Sequence, residues 1–185
     1  MRITIGGLPG TGKGTVGRKL AKALSYKFVS GGDLFRKAAK KNEMTMGEFD
    51  IYTKNNPEAR VDEEIDLFQK EMGKNENNFI LESRLAWYLV PNSIKIKFDA
   101  DEDERMKRIS TDDSKRRIAY KRESFEKTKQ KTRKRARAHQ ERIFEIYGIE
   151  DMMANNNFDF VIDTTNLTPD EVFDEIWEYI QKQTK

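Results

Sequence analysis

Apolar positions along this chain fall into two alternating spacings. Short runs rich in β-branched and aromatic residues at 3–5, 27–29, 78–81, 94–98 and 160–162 read as strands. Between them, apolar residues three and four apart predict helices over 13–24, 32–41, 45–54, 59–73, 101–110, 116–146 and 168–181. The last has a start signal of its own, with Thr168 as N-cap, Pro169 at the first helical position and Glu171 at the third. Asn55-Asn56-Pro57 and Tyr147-Gly148 read as breaks between helices. Strands that alternate with helices predict an α/β fold: a three-layer sandwich around a five-stranded parallel sheet. Nothing repeats and no linker divides the chain, so one domain is expected over 1–185. Two helical inserts depart from this core, 31–73 and 111–145. Both leave from the carboxyl end of the sheet, where they can cover a ligand held there.

At that same end lies the most informative segment. Gly7-Leu8-Pro9-Gly10-Thr11-Gly12-Lys13-Gly14-Thr15 follows the first strand and opens the first helix. Strand, glycine-rich loop and helix in this order are the context of a phosphate-binding P-loop, and they place the chain in the P-loop NTPase architecture. Backbone N–H groups freed of Cβ atoms form a nest for phosphate oxygens, and the helix N-terminus adds its donors and partial positive charge. Lys13 supplies a point charge for the outer phosphates. Gly14 follows the lysine where the commonest motif has a Ser or Thr, and the hydroxyl comes one residue later, at Thr15.

Composition removes other chemistries. There is no cysteine, so neither a disulfide framework nor a thiolate metal site can form. The lone His139 excludes a multi-histidine metal site. No apolar run approaches the roughly 20 residues that span a bilayer. With the first strand opening at residue 2, no secretory leader is expected, and the reading is of a cytoplasmic monomer without membrane partners. The net charge of +3 conceals an asymmetry: residues 115–142 carry +10 and the remainder −7. A basic arm on an acidic body suits a polyanionic ligand.

Two further strand ends carry chemistry. Ser30-Gly31-Gly32-Asp33-Leu34-Phe35-Arg36 follows the second strand, and Arg36 can fork two donors onto a phosphate. Leu81-Glu82-Ser83-Arg84 closes the third. There Glu82 stands where a carboxylate can order metal-bound water, and Arg84 can reach a monophosphate opposite the P-loop.

The loop, reading G-x-P-G-x-G-K-G-T, resembles that of the nucleoside monophosphate kinases. Several longer segments look like the archaeal-type cytidylate kinases: Val29-Ser30-Gly31-Gly32-Asp33-Leu34-Phe35-Arg36, Met44-Thr45-Met46-Gly47-Glu48-Phe49, Leu81-Glu82-Ser83-Arg84-Leu85-Ala86, and Ile146-Tyr147-Gly148-Ile149-Glu150. The resemblance implies transfer of the γ-phosphoryl group of ATP to CMP or dCMP. It implies magnesium carried with ATP, held mainly by phosphates and water rather than by a protein metal site. By the same resemblance, Gly7, Leu8, Pro9, Gly10, Thr11, Gly12, Lys13, Gly14 and Thr15 hold the ATP phosphates, and Arg108 lies against the donor base. Ser30, Arg36 and Arg84 border the acceptor monophosphate, with Asp33 and Asp62 near its sugar and base. Residues 31–73 become the acceptor-binding insert and 111–145 the lid and basic helix.

Within that basic helix, Arg135 and Arg142 match two family arginines, seven apart and therefore on one face. Together with Lys13 they are the expected catalytic residues. His139 stands where the family carries an acidic residue and reads as a neutral, solvated side chain. Arg116, Arg117 and Arg122 are the candidates for the lid arginine. Two other readings remain open at this point: a kinase for AMP or UMP, and, less favoured, a P-loop protein that binds nucleic acid through the basic arm. Against the latter, only Tyr120 and Phe125 offer stacking surfaces within the run.

Overall fold

The computed structural model describes residues 1–56, 60–111 and 124–183. The lid candidates Arg116, Arg117 and Arg122, along with Tyr120, lie outside the described residues. Five parallel strands form one sheet, β1 (Arg2–Gly7), β2 (Lys27–Ser30), β3 (Phe79–Glu82), β4 (Ile94–Asp99) and β5 (Phe160–Asp163), in the order β2-β3-β1-β4-β5. All five expected strands are present, and each runs one or two residues further toward its C-terminus than the apolar run alone. The extra residues matter. The register pairs Ser30 with Glu82, Glu82 with Ile5, and Gly7 with Phe98, so the polar strand ends come out along one edge.

Both faces of the sheet are covered, as a parallel sheet requires. On one face α1 (Lys13–Leu24) and α8 (Pro169–Gln183) bury Val16, Leu20, Val172, Ile176 and Ile180 against Ile3, Ile5, Ile80 and Ile96. Helix α8 begins with the expected capping box: Glu171 N donates to Thr168 Oγ1 at 3.3 Å, and Thr168 N donates to Glu171 Oε2 at 2.7 Å. On the other face Phe79 and Leu81 meet Met72 of α4 (Val61–Asn75), Leu89 of α5 (Ala86–Leu89) and Ile143 of α7 (Phe125–Tyr147). The four-residue α5 has no sequence signal, being shorter than one helical repeat of apolar spacing.

The first insert builds a small core of its own. Helices α2 (Gly31–Lys41) and α3 (Met46–Asn55) bury Phe35, Ala39 and Phe49, with Val61 and Ile65 of α4 packed against them. Phe35 meets Phe49 edge-on, ring centres 5.0 Å apart. Helix α6 (Glu102–Thr111) follows β4, and no helix among the described residues is long and apolar enough to cross a membrane.

Candidate active site

The loop between β1 and α1 takes its shape from backbone that only glycine adopts without strain. Gly10 has φ +89°, and a Cβ there would stand 2.5 Å from the Arg105 carbonyl oxygen. Thr11 Oγ1 donates to Leu8 O at 3.0 Å, and Lys13 Nζ donates to the same carbonyl at 3.2 Å. The loop therefore closes on its own lysine. Glu82 Oε1 lies 3.6 Å from that ammonium. Lys13 is largely buried, and burial lowers its pKa below the usual lysine value. The cations Arg84 and Arg105 push the same way, and Glu82 opposes them.

Arg105 is the functional residue that the sequence reading passed over. On α6 it shares the inward face with Met106 and Ile109 and is 8% exposed. Its Nε donates to Ala100 O at 3.2 Å and its Nη1 to Pro9 O at 3.4 Å. A buried guanidinium thus braces the outer side of the phosphate loop. An arginine beside Met106 on the apolar face of a helix is the sequence signal for it.

Arg108 belongs to the same wall. Its Nη2 donates to Thr164 O at 2.6 Å and Thr165 O at 3.0 Å, and its Nε to Glu104 Oε1 at 3.0 Å. The Thr164 hydroxyl accepts from Arg108 Nη1 at 3.1 Å and shares its own proton between Thr11 O and Asp99 O. Arg108 is thereby fixed beside the P-loop, one threonine away.

The acceptor-side residues gather at the neighbouring strand ends. Ser30 caps α2, accepting from Asp33 N at 3.3 Å, and donates its hydroxyl proton to Glu82 Oε2 at 2.6 Å. Asp33 accepts from Arg36 Nη2 at 2.5 Å and lies 3.6 Å from Arg18 Nη2 of α1. Glu82 therefore touches the P-loop lysine with one oxygen and the α2 cap with the other.

The third group stands on α7. Arg142 Nη1 meets Asp62 Oδ2 of α4 at 2.7 Å, and Tyr147 OH donates to Asp66 Oδ2 at 2.6 Å, so two turns of α4 are fastened to the end of α7. Asp66 is raised above the ordinary carboxylate range, chiefly by burial. His139 is neutral as expected, but it is not solvated. It lies half-buried beside Arg142, and burial, then the charges of Arg84, Arg142 and Arg135, push it down to about 2. The charges of Arg84, Arg142 and Arg135 thus bear on one imidazole, from the strand-end loop and from α7, with Arg142 in contact at 3.2 Å.

Part of the basic arm's charge is paired with neighbouring carboxylates. Lys129 pairs with Asp103, Arg133 with Glu102, and Arg137 with Glu141. Among the described residues no group of three His, Cys, Asp or Glu side chains could hold a metal ion. The Thr15 hydroxyl and the Glu82 carboxylate are hard oxygen donors of the kind magnesium accepts.

Residues 2–166 match the model of the cytidylate kinase-like family. The chain belongs to that family. It is 39% identical over 153 residues to a cytidylate kinase of Archaeoglobus fulgidus, covering 81% of this chain and 78% of that one. A cytidylate kinase of Methanocaldococcus jannaschii is 37% identical over 192 residues, covering both chains fully. Shikimate kinase from Bacteroides thetaiotaomicron shares the fold at 16% identity, with a TM-score of 0.64 over 98% of each chain. The family and the P-loop geometry make this chain an ATP-dependent nucleoside monophosphate kinase.

Proposed function

We propose that the chain transfers the γ-phosphoryl group of ATP to CMP or dCMP, giving CDP or dCDP and ADP. An oxygen of the acceptor phosphate attacks the γ-phosphorus, the new O–P bond forms, and the bond to the bridging oxygen of ADP breaks. The attacking oxygen already carries charge, so no general base is needed; positioning and charge neutralisation supply the catalysis.

The family resemblance supports a role for each residue. Backbone N–H groups from Gly7 to Thr15 hold the donor phosphates, and Lys13 exchanges the Leu8 carbonyl for them. Arg108 borders the donor base. Ser30, Arg36 and Arg84 receive the acceptor phosphate, and Asp33 and Asp62 its sugar and base. Arg135 and Arg142 face the charge that develops between the two nucleotides. Thr15 and Glu82 would border magnesium carried with ATP, which would supply neutralisation of phosphate charge. Burial of the Lys13 ammonium strengthens its pull on the moving phosphoryl group.

The observation that supports this reading best is the double contact of Glu82, on Lys13 and on Ser30. One carboxylate joins the donor-phosphate lysine to the acceptor-side cap, so the two phosphate sites adjoin. Family membership favours a pyrimidine acceptor, because the named relatives are cytidylate kinases. The test is a panel of CMP, dCMP, AMP and UMP with ATP and magnesium, scored by ADP release. CMP or dCMP should exceed AMP and UMP in kcat/KM by at least about tenfold, a difference of ~1.4 kcal/mol. Preference for AMP or UMP would replace the acceptor assignment.

A further inference from the structure

His139 lies on α7 one turn after Arg135 and one turn before Arg142, and its Nδ1 is 3.2 Å from Arg142 Nη2. The other end of the same guanidinium, Nη1, is held by Asp62 Oδ2 at 2.7 Å. The plane of Arg142 is therefore fixed from two sides, by a carboxylate of α4 and by an imidazole of its own helix. Guanidinium has donors and no acceptor, so Nδ1 accepts and the ring hydrogen sits on Nε2. The charged groups around the ring are Arg84 from the loop after β3, Arg135 and Arg142 from α7, and Asp62 of α4 acting through Arg142. Burial first, and then the charges of Arg84, Arg142 and Arg135, keep the imidazole unprotonated, and thus able to accept, across the working range.

We propose that His139 is a positioning residue for phosphoryl transfer, a neutral acceptor that aims Arg142 without cancelling its charge. The inference rests on the kinase reading above, in which Arg142 faces the reacting phosphates. A carboxylate at 139 would also hold Arg142, but its charge would offset one of three guanidinium groups gathered for anionic ligands. An imidazole supplies direction alone. Asp62 already provides a carboxylate that holds Arg142.

Steady-state kinetics with ATP and CMP test this on the parent, His139→Ala, His139→Asn, His139→Asp, Arg142→Ala and the His139→Ala/Arg142→Ala pair, with a melting curve for each. The amide oxygen of asparagine stands close to where Nδ1 stood. His139→Ala should lose about tenfold in kcat, the worth of one hydrogen bond to a charged group, with KM for ATP unchanged. His139→Asn should recover most of that loss, and His139→Asp should lower kcat and raise KM for CMP together. In the Arg142→Ala background, removing His139 should cost nothing more. The proposal is overturned if His139→Ala keeps the parental kcat, if Asn and Ala fall equally with unchanged melting, or if the two losses multiply in the pair. A parent that turns over ATP only without CMP overturns the kinase reading itself, a result that the variants do not mimic.

Discussion

Lys13 Nζ donates to the carbonyl oxygen of Leu8, five residues upstream in its own loop, at 3.2 Å. The phosphate loop thus satisfies its lysine internally. A triphosphate must displace that bond and in exchange offers several anionic oxygens to an ammonium whose charge the surroundings disfavour. The bond is weak by design of its partners: a neutral carbonyl is a poorer acceptor than a phosphate oxygen.

Lys13→Met removes the charge and keeps the aliphatic stem. Turnover should fall by about 10²–10³-fold, as for loss of one transition-state donor. Folding should not suffer. A lysine whose pKa is lowered by folding gives up its proton more readily in the folded state, so its ammonium weakens stability at neutral pH and the penalty fades as pH climbs toward 10.5. The unfolding midpoint of Lys13→Met at pH 7 should equal or exceed that of the parent. A lower midpoint with retained turnover would contradict the placement of Lys13.

Two glycines of the loop separate strain from clash. Gly10 and Gly12 have φ of +89° and +83°, which costs an alanine roughly 1–3 kcal/mol at either position. At Gly12 a Cβ would meet nothing within 4 Å, whereas at Gly10 it would press on the Arg105 carbonyl and Cα. Urea denaturation should rank Gly10→Ala as the less stable variant. Equal losses would mean that α6 does not brace the loop as described.

Asp66 gives the fold a pH signature. A carboxylate raised by burial holds its proton more tightly in the folded chain, so its contribution favours folding at low pH and is lost as pH rises through the raised value. Asp66→Asn keeps an oxygen for the Tyr147 hydroxyl and removes the buried charge. Its melting temperature should exceed the parent's at pH 7, and the gap should close near pH 4. A gap that widens toward acid would show that the carboxylate is favoured in its ionised form.

Lys129, Arg133 and Arg142, three of the eight basic residues of α7, are paired with Asp103, Glu102 and Asp62, and within that helix's basic stretch only Phe125 offers a base a stacking surface. Fluorescence anisotropy with a single-stranded oligonucleotide at physiological salt should give a Kd no tighter than about 10⁻⁶–10⁻⁴ M, the range of sequence-independent phosphate contacts. Tighter binding with a steep salt dependence would revive the nucleic-acid reading.

The sheet and the P-loop were legible because their signals are local. Val16, Leu20 and Ala21 repeat at helical spacing, and α1 spans the predicted 13–24. The strand ends Ser30 and Glu82 lie beyond the apolar runs, since polar residues at a sheet edge carry no periodicity. The apolar spacing predicts the long helix from 116. Within the described residues it runs from Phe125, capped by Ser124, to the predicted break after Tyr147. What the sequence hid is the pairing across the chain. Asp66 and Tyr147 are 81 residues apart, and Asp62 meets Arg142 the same way; spacing along one sequence is silent about such partners. His139 shows the same gap. Its neutrality is readable from its ordinary pKa, but the charge of Arg84 that acts on it comes from another element.

The most direct test of the account follows phosphorus through the reaction by ³¹P NMR in a mixture of ATP, magnesium and CMP. The account predicts that the β-phosphate resonance of CDP grows in step with ADP while inorganic phosphate stays at background. ADP accompanied by inorganic phosphate and no CDP, or ATP left unchanged, would contradict it.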